Sequence, residues 1–222
     1  LLLNAGLSAP LSGPLPNTVW DSTPADAFGY DMAKVEALLG EAGYVRNGEG
    51  LWEKDGAPLE IEINEPWGLV SVAEAVASQW RDAGISVTVK PTPFAEIFPT
   101  MHEVQALSYS FGAPQDPDSI YFLFHSSAGL DKGGFNAFGY ANPAVDAALE
   151  AGRAAQGFEA RKPHYDAFQA ALLADPPHAW VDTSAPVVAV TKRLSGYSTD
   201  LVVAGGDGEM FWNVEDWELA AQ

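Results

Sequence analysis

The feature that most constrains the fold is a strand–helix–strand pattern. Hydrophobic residues alternate with glutamates over Leu59–Asn64, and this two-residue period predicts a half-buried β-strand. The next segment has hydrophobic residues at helical spacing, and Ser71 with Glu74 forms a capping-box pattern at its start. Ile85–Lys90 alternates again and predicts a second strand. This order favours a right-handed crossover between parallel strands, so an α/β fold is predicted.

Polar residues before hydrophobic segments predict where further helices begin. Asp31 and Asn142 are predicted N-caps, and Asn142 is followed by Pro143, which suits the first helical position. Asp116 precedes Pro117 in the same way, and an N-cap explains it better than a calcium ligand. A last long helix is predicted over Pro163–Ala174, with an uncertain first turn because of its proline.

Composition excludes several classes of function. The net charge of -19, with scattered basic residues, argues against nucleic-acid binding. The chain has no cysteine, which excludes disulfides and thiolate metal sites. Metalloprotease, P-loop, dinucleotide-binding and nucleophile-elbow motifs are absent, so no catalytic residue, metal or cofactor is predicted. A hydrolase with a dispersed triad remains an alternative, because four histidines lie far apart in the sequence.

Aromatic residues near the end of a predicted strand suggest a binding site. A strand is predicted over 104–111, and ligands bind at the carboxyl ends of strands in open α/β sheets. A glycine-rich loop follows at 125–141. Both pocket and core remain open for Tyr109 and Phe111. The candidate ligand-binding residues from this reasoning are Tyr109, Phe111, Gly112, Asn136, Phe138 and Tyr140.

Several segments together resemble one family. They are YDMAKVEALLGEAGY at 30–44, a DG-containing run from Asp55, AEAVASQWRDAGISVTVK at 73–90, the DPDS segment ending at Ser119, and NAFGYANPAVDAALEAG at 136–152. Their order and spacing resemble the extracellular solute-binding proteins, peptide/nickel-binding group (family 5), which deliver solutes to ABC importers. No single motif carries the resemblance.

The resemblance implies a type II periplasmic-binding-protein-like lobe, with a mixed sheet flanked by helices. We expect 1–30 to be an extended entry segment, 31–183 the α/β ligand-binding lobe, and 184–222 a return segment toward a hinge or a missing N-terminal lobe. The implied partners are a small-molecule or peptide ligand, ABC permease subunits and that second lobe. The implied location is extracytoplasmic, in the periplasm or lipid-anchored at the outer face of the cytoplasmic membrane. The chain starts without an initiator methionine, so we expect a targeting segment upstream.

The resemblance also adds two site positions. Peptide-binding members often carry an acidic residue that holds the peptide amine and a tryptophan three positions before it; here Ala113 and Ser110 stand there. Both positions are candidate ligand contacts, and a peptide ligand is in doubt. An uncharged or sugar-like ligand, a peptide held by backbone contacts, or an anchor on the other lobe remain open. A ligand-sensing domain of a regulator is the alternative function.

Overall fold

A computed structural model describes residues 8–16, 18–24, 27–111, 116–184, 189–198 and 211–220. The helices are α1 (Met32–Glu41), α2 (Val70–Asp82), α3 (Phe94–Ile97), α4 (Tyr121–Phe124), α5 (Pro143–Ala154) and α6 (Phe158–Ala174). The strands are β1 (Ser8–Pro10), β2 (Val45–Arg46), β3 (Trp52–Lys54), β4 (Ala57–Pro58), β5 (Glu60–Glu65), β6 (Ser86–Pro91), β7 (Ala106–Leu107), β8 (Asp182–Ser184), β9 (Leu194–Ser195) and β10 (Glu218–Leu219).

The chain divides into two compact units. We call Phe28–Ser110 with Ala137–Gly139 the sheet unit. Leu1–Ala27, Phe111–Asn136 and Tyr140–Gln222 form the helix unit, which contains α5 and α6. Among the described residues, no helix combines the length and apolar character needed to span a membrane.

The sheet unit contains the predicted parallel crossover. Its three strands lie in the order β6-β5-β7, and β5 is parallel to both neighbours. The strands β5 and β6 begin one residue later than predicted, with Ile61 opposite Val87. Ile63, Val87 and the α2 residues Ala73 and Ala77 form a buried cluster. The predicted α/β fold is therefore confirmed, and antiparallel pairing occurs in separate small sheets.

The start of α2 differs from the prediction. The helix begins at Val70, and its N-cap residue is Leu69, which makes no side-chain hydrogen bond. Ser71 consequently lies inside the first turn, where it cannot act as an N-cap. Glu74 instead pairs with Arg81 on the same helix at 3.1 Å. The predicted capping box is wrong. The spacing of Ser71 and Glu74 fits a capping box, but the helix already begins at Val70, soon after β5 ends at Glu65.

The first helix confirms its predicted cap. The Asp31 side chain accepts a hydrogen bond from the Lys34 backbone N–H, and Gly43 has the left-handed φ of 86° after the helix ends. No residue of α1 is buried, however, and Leu38 is 54% exposed. The helical spacing of hydrophobic residues in α1 therefore predicts a helix correctly, but it does not show that these residues are buried.

The helix unit packs α5 against α6. Asn142 caps α5 by accepting hydrogen bonds from the Ala144 and Val145 backbone, as predicted. The helix α6 begins at Phe158, five residues before the predicted start, and it contains Pro163. Pro163 is the sixth residue of α6 and lacks the N–H that would bond to the Glu159 carbonyl, yet the helix continues to Ala174. The large buried hydrophobic residues of the two helices are Val145, Leu149, Tyr165, Phe168 and Leu172.

The predicted strand over 104–111 is much shorter in the structure. The strand β7 covers only Ala106–Leu107, where Ile63 of β5 lies opposite Ala106. One further backbone hydrogen bond, from Ser108 N–H to the Asn64 carbonyl at 2.8 Å, extends the contact. Tyr109 therefore lies just beyond the carboxyl end of β7.

Candidate functional site

Aromatic side chains gather at the carboxyl edge of the parallel sheet. The Trp67 ring lies 4.7 Å from the Phe94 ring and 6.0 Å, edge to face, from the Tyr109 ring. Phe98 continues the group at 5.3 Å from Phe94. Trp67 and Phe98 are each 40% exposed. We call Trp67, Phe94, Phe98 and Tyr109 the aromatic edge, and its position is the one at which open α/β sheets bind ligands.

Local sequence places these rings. The strand β5 ends at Glu65, Pro66 follows, and Gly68 has a left-handed φ of 78° that turns the chain toward α2. The sequence analysis did not predict Trp67, Phe94 or Phe98 as site residues. The signal was present, because Trp67 and Phe94 each follow the end of a predicted parallel strand by a few residues, at the carboxyl edge of the sheet.

Tyr109 is held as a neutral phenol. Burial raises the pKa of Tyr109 to about 12, because the phenolate form loses hydration beneath the neighbouring rings. At neutral pH its hydroxyl can both donate and accept a hydrogen bond. The aromatic edge therefore combines apolar ring faces with a polar group.

Glu65 is a buried carboxylate beside this edge. It is 2% exposed, and its Oε1 accepts a hydrogen bond from the Trp67 backbone N–H at 2.8 Å. Its Oε2 has no hydrogen-bond partner among the described residues. The adjacent buried Asn64 differs, since it accepts from the Thr92 hydroxyl at 2.9 Å and donates to Glu62 at 3.2 Å. Glu65 is a candidate site residue that the sequence analysis did not select.

The other candidates around the strand end fall in different places. Ser110 is exposed at the end of the sheet unit. Phe111 belongs to the helix unit, where it is 44% exposed and its ring lies 5.5 Å from the Phe122 ring. Gly112 and Ala113 lie outside the described residues. Their roles as ligand contacts stay predictions.

Asn136 organises the loop predicted to carry ligand contacts. It is 5% exposed, and its amide donates to the carbonyls of His125 at 3.1 Å and Tyr140 at 2.7 Å. Its Oδ1 accepts the Tyr140 backbone N–H at 2.9 Å. The Tyr140 hydroxyl donates to the Asp175 carbonyl at 3.0 Å, and burial raises the pKa of Tyr140. Phe138 is 44% exposed. These three residues also stay predicted contacts.

The carboxylates near Asp116 are paired with arginines. Asp116 accepts the Asp118 backbone N–H at 2.8 Å, which is the predicted N-cap bond. Asp116 also pairs with Arg161, and Asp118 pairs with Arg153 at 2.7 Å. Across the part of the chain that the structure describes, no group of three acidic, histidine or cysteine side chains is placed to hold a metal ion.

A serine–histidine–carboxylate contact occurs at the end of α4. The Ser127 hydroxyl lies 2.7 Å from His125 Nδ1, and Glu150 Oε1 lies 3.3 Å from His125 Nε2. The Ser127 backbone N–H also donates to Nδ1 at 3.1 Å, so that nitrogen is an acceptor. The ring of His125 stacks on Tyr121 at 4.1 Å. These contacts close a turn between residues two apart in the chain.

Comparison with known proteins identifies relatives that match most of the chain. Protein XP55 of Streptomyces lividans is 34% identical over 88% of this chain, which spans 36% of that protein. The structure of NikZ from Campylobacter jejuni, in complex with Ni(L-His), has a TM-score of 0.77 and 30% identity over 96% of this chain. The oligopeptide-binding protein AppA from Bacillus subtilis, in complex with a nonapeptide, has a TM-score of 0.72 over 97% of this chain at 21% identity.

The chain spans less than half the length of these relatives, at 44% of NikZ and 43% of AppA. The likeness to AppA at this identity supports the fold alone. Residues 2–131 match the family described as bacterial extracellular solute-binding proteins, family 5 (middle). This match covers more than half of the chain, and it agrees with the type II periplasmic-binding-protein fold of NikZ. The chain belongs to family 5 of the bacterial extracellular solute-binding proteins.

Proposed function

We propose that this chain forms part of the substrate-binding component of an ABC importer. In that role the protein captures a small solute, such as a peptide or a sugar, outside the cytoplasmic membrane and delivers it to the permease. Family membership over residues 2–131 is the observation that carries the proposal. The likeness to NikZ over 96% of the chain supports it. The protein works in the periplasm or anchored at the outer face of the membrane.

The exposure and composition of the aromatic edge also support solute binding. Two of its rings are 40% exposed although they contact other rings, so the surface offers apolar area without further rearrangement. Ligand sites typically combine such rings with a few polar groups. Tyr109 was selected on its position at a strand end, and Trp67 and Phe94 now surround it.

The proposal treats the protein as a binding protein without catalytic activity. The Ser127–His125 contact is explained by the hydrogen-bonded turn, because the serine backbone N–H donates to the same ring nitrogen that its hydroxyl contacts. Capture of a solute needs no covalent step, and relatives such as AppA are described by the ligand that they hold.

A ligand panel tests this function. The purified protein is examined by native mass spectrometry for a co-purified solute, and by thermal unfolding with peptides, sugars and metal–amino-acid complexes. A ligand present at a hundred times its Kd stabilises the folded state by about 2.7 kcal/mol, which gives a clear rise in Tm. Stimulation of the cognate permease ATPase by the loaded protein checks delivery. A protein that binds no member of any class would contradict the proposal.

A further inference from the structure

We propose that Glu65 and the aromatic edge together bind a positively charged nitrogen group of the solute, such as an ammonium or a guanidinium. The inference rests on the proposed function and adds a ligand class to it. Its basis is a buried carboxylate oxygen without a protein partner, placed where the sheet presents its ligand-binding edge. All the residues concerned lie in the sheet unit.

The position of Glu65 makes the unpaired oxygen significant. Glu65 is the last residue of the central strand β5, and it lies opposite Pro91 at the end of β6. It shares a sheet face with Ile63, because side chains alternate along a strand. Its backbone carbonyl already accepts the Thr92 N–H at 3.1 Å, and its Oε1 is bonded to Trp67. Of the two Glu65 side-chain oxygens, Oε2 is the one that has no hydrogen-bond partner among the described residues.

Such an oxygen is energetically unfavourable in the absence of a partner. The large majority of buried polar side-chain atoms in folded proteins are hydrogen-bonded, so each exception needs an explanation. Burying a charged group without a compensating partner destabilises a fold far more than burying a neutral polar group does. A donor supplied by a ligand at the sheet edge satisfies the oxygen and recovers this loss on binding.

The basic side chains of α2 and β6, the elements next to β5, interact with groups other than Glu65. Arg81, the one basic residue of α2, pairs with Glu74 at 3.1 Å and also donates to the Val87 carbonyl. Lys90, the one basic residue of β6, lies 3.5 Å from Glu62. Within the described part of the chain, neither side chain forms a hydrogen bond or an ion pair with Glu65. A ligand could therefore supply the positive charge that complements this carboxylate.

The aromatic edge favours a cation over a neutral donor. An ammonium or guanidinium within about 6 Å of an indole or phenol ring face is attracted by the ring quadrupole. Trp67 joins both features, since its backbone N–H binds Glu65 and its ring contacts Phe94 and Tyr109. The net charge of -19 adds a long-range field that concentrates cations at the surface.

Two small probes of matched shape test the inference. Phenethylamine carries an ammonium group, and 2-phenylethanol replaces it with a hydroxyl. Calorimetry on the protein is expected to show about tenfold tighter binding of the amine, because a charge-assisted hydrogen bond exceeds a neutral one by this amount. In Glu65→Gln the affinity for the amine falls to that for the alcohol. Glu60→Gln removes the same charge from the exposed start of β5 and keeps the preference.

A second variant covers the case in which Glu65→Gln unfolds. Trp67→Leu keeps an apolar side chain and the backbone N–H bonded to Glu65, but it removes the indole face. It is expected to weaken the amine several-fold and to leave the alcohol nearly unchanged. Equal binding of both probes by the unsubstituted protein, or binding of neither, would overturn the inference, since Oε2 would then be satisfied by water alone.

The two experiments distinguish a failure of the cation site from a failure of the proposed function. If the ligand panel yields a neutral solute and the amine shows no preference, solute capture stands and the cation site fails. If the amine binds through Glu65 but no solute class stabilises the protein, the cation site stands and solute capture fails.

Discussion

Arg161 holds Asp116 with both terminal nitrogens of its guanidinium. The Nη1–Oδ2 distance is 2.8 Å and the Nη2–Oδ1 distance is 2.7 Å, although the two residues lie 45 positions apart in the chain. Arg161 also donates to the Tyr165 hydroxyl at 3.2 Å and the Gly152 carbonyl at 3.3 Å. One side chain thus fastens the turn at Asp116 to α5 and α6.

This pair predicts a pH dependence of stability at the acid end. The hydrogen bond from Arg161 lowers the pKa of Asp116 below its ordinary value. Because the folded-state pKa is lower than the unfolded one, the stabilisation is present above about pH 4 and is lost as the pH falls through the folded value. Asp116→Asn should remove this part of the acid slope in urea unfolding, at a loss of about 1 kcal/mol at pH 7. An unchanged slope would contradict the pairing.

Packing between α5 and α6 predicts opposite results for two glycines. A Cβ on Gly152 would lie 2.8 Å from the ring of the fully buried Tyr165. Gly152→Ala should therefore destabilise the protein by about 1–3 kcal/mol. Gly40 lies in α1 with nothing within 4 Å of such an atom, so Gly40→Ala should stabilise by up to about 1 kcal/mol. Urea unfolding of the two variants measures both, and equal effects would show that the helix contact is misplaced.

The helix caps can be tested as a pair. Asn142 accepts two backbone hydrogen bonds at the start of α5, so Asn142→Ala should lower the free energy of unfolding by about 1 kcal/mol. Ser71 lies within the first turn of α2 and makes no cap bond, so Ser71→Ala should change it by less than about 0.5 kcal/mol. A large effect at Ser71 would restore the capping box that the structure rejects.

His178 should affect the stability of the fold in a higher pH range than Asp116 does. Its ring lies 5.3 Å from Phe124 and 5.6 Å from Trp180, and burial lowers its pKa from the ordinary value. The unfolded chain therefore takes up a proton first, so stability is full above about pH 6.5 and declines as the pH falls below it. His178→Phe should flatten this part of the curve. NMR titration of the ring proton checks the direction, and an upward shift would contradict it.

The contact between Ser127 and His125 is expected to be structural. Ser127→Ala removes a hydroxyl from the turn and should lower the free energy of unfolding by about 1 kcal/mol. A serine-reactive fluorophosphonate probe should not label the protein. Labelling that disappears in Ser127→Ala would instead support the hydrolase alternative.

Local patterns were sufficient for the parallel strands of the sheet unit and for one helix cap in each unit. The alternation at 59–64 and 85–90 predicted two parallel strands to within one residue, and Asp31 and Asn142 cap helices as predicted. These features succeed because each depends on neighbours within a few residues. The family resemblance was likewise visible in the order of short segments, and the match over 2–131 confirms it.

Long-range packing decided the rest. The sequence by itself predicted that Tyr109 lies near the carboxyl end of a strand, and it shows that Glu65 is acidic. Only the tertiary structure brought Trp67 beside Tyr109 and left one oxygen of Glu65 unpaired while burying it. It also left Leu38 exposed despite its helical spacing. Periodicity states which residues can share a face, whereas burial depends on what the rest of the chain packs against that face.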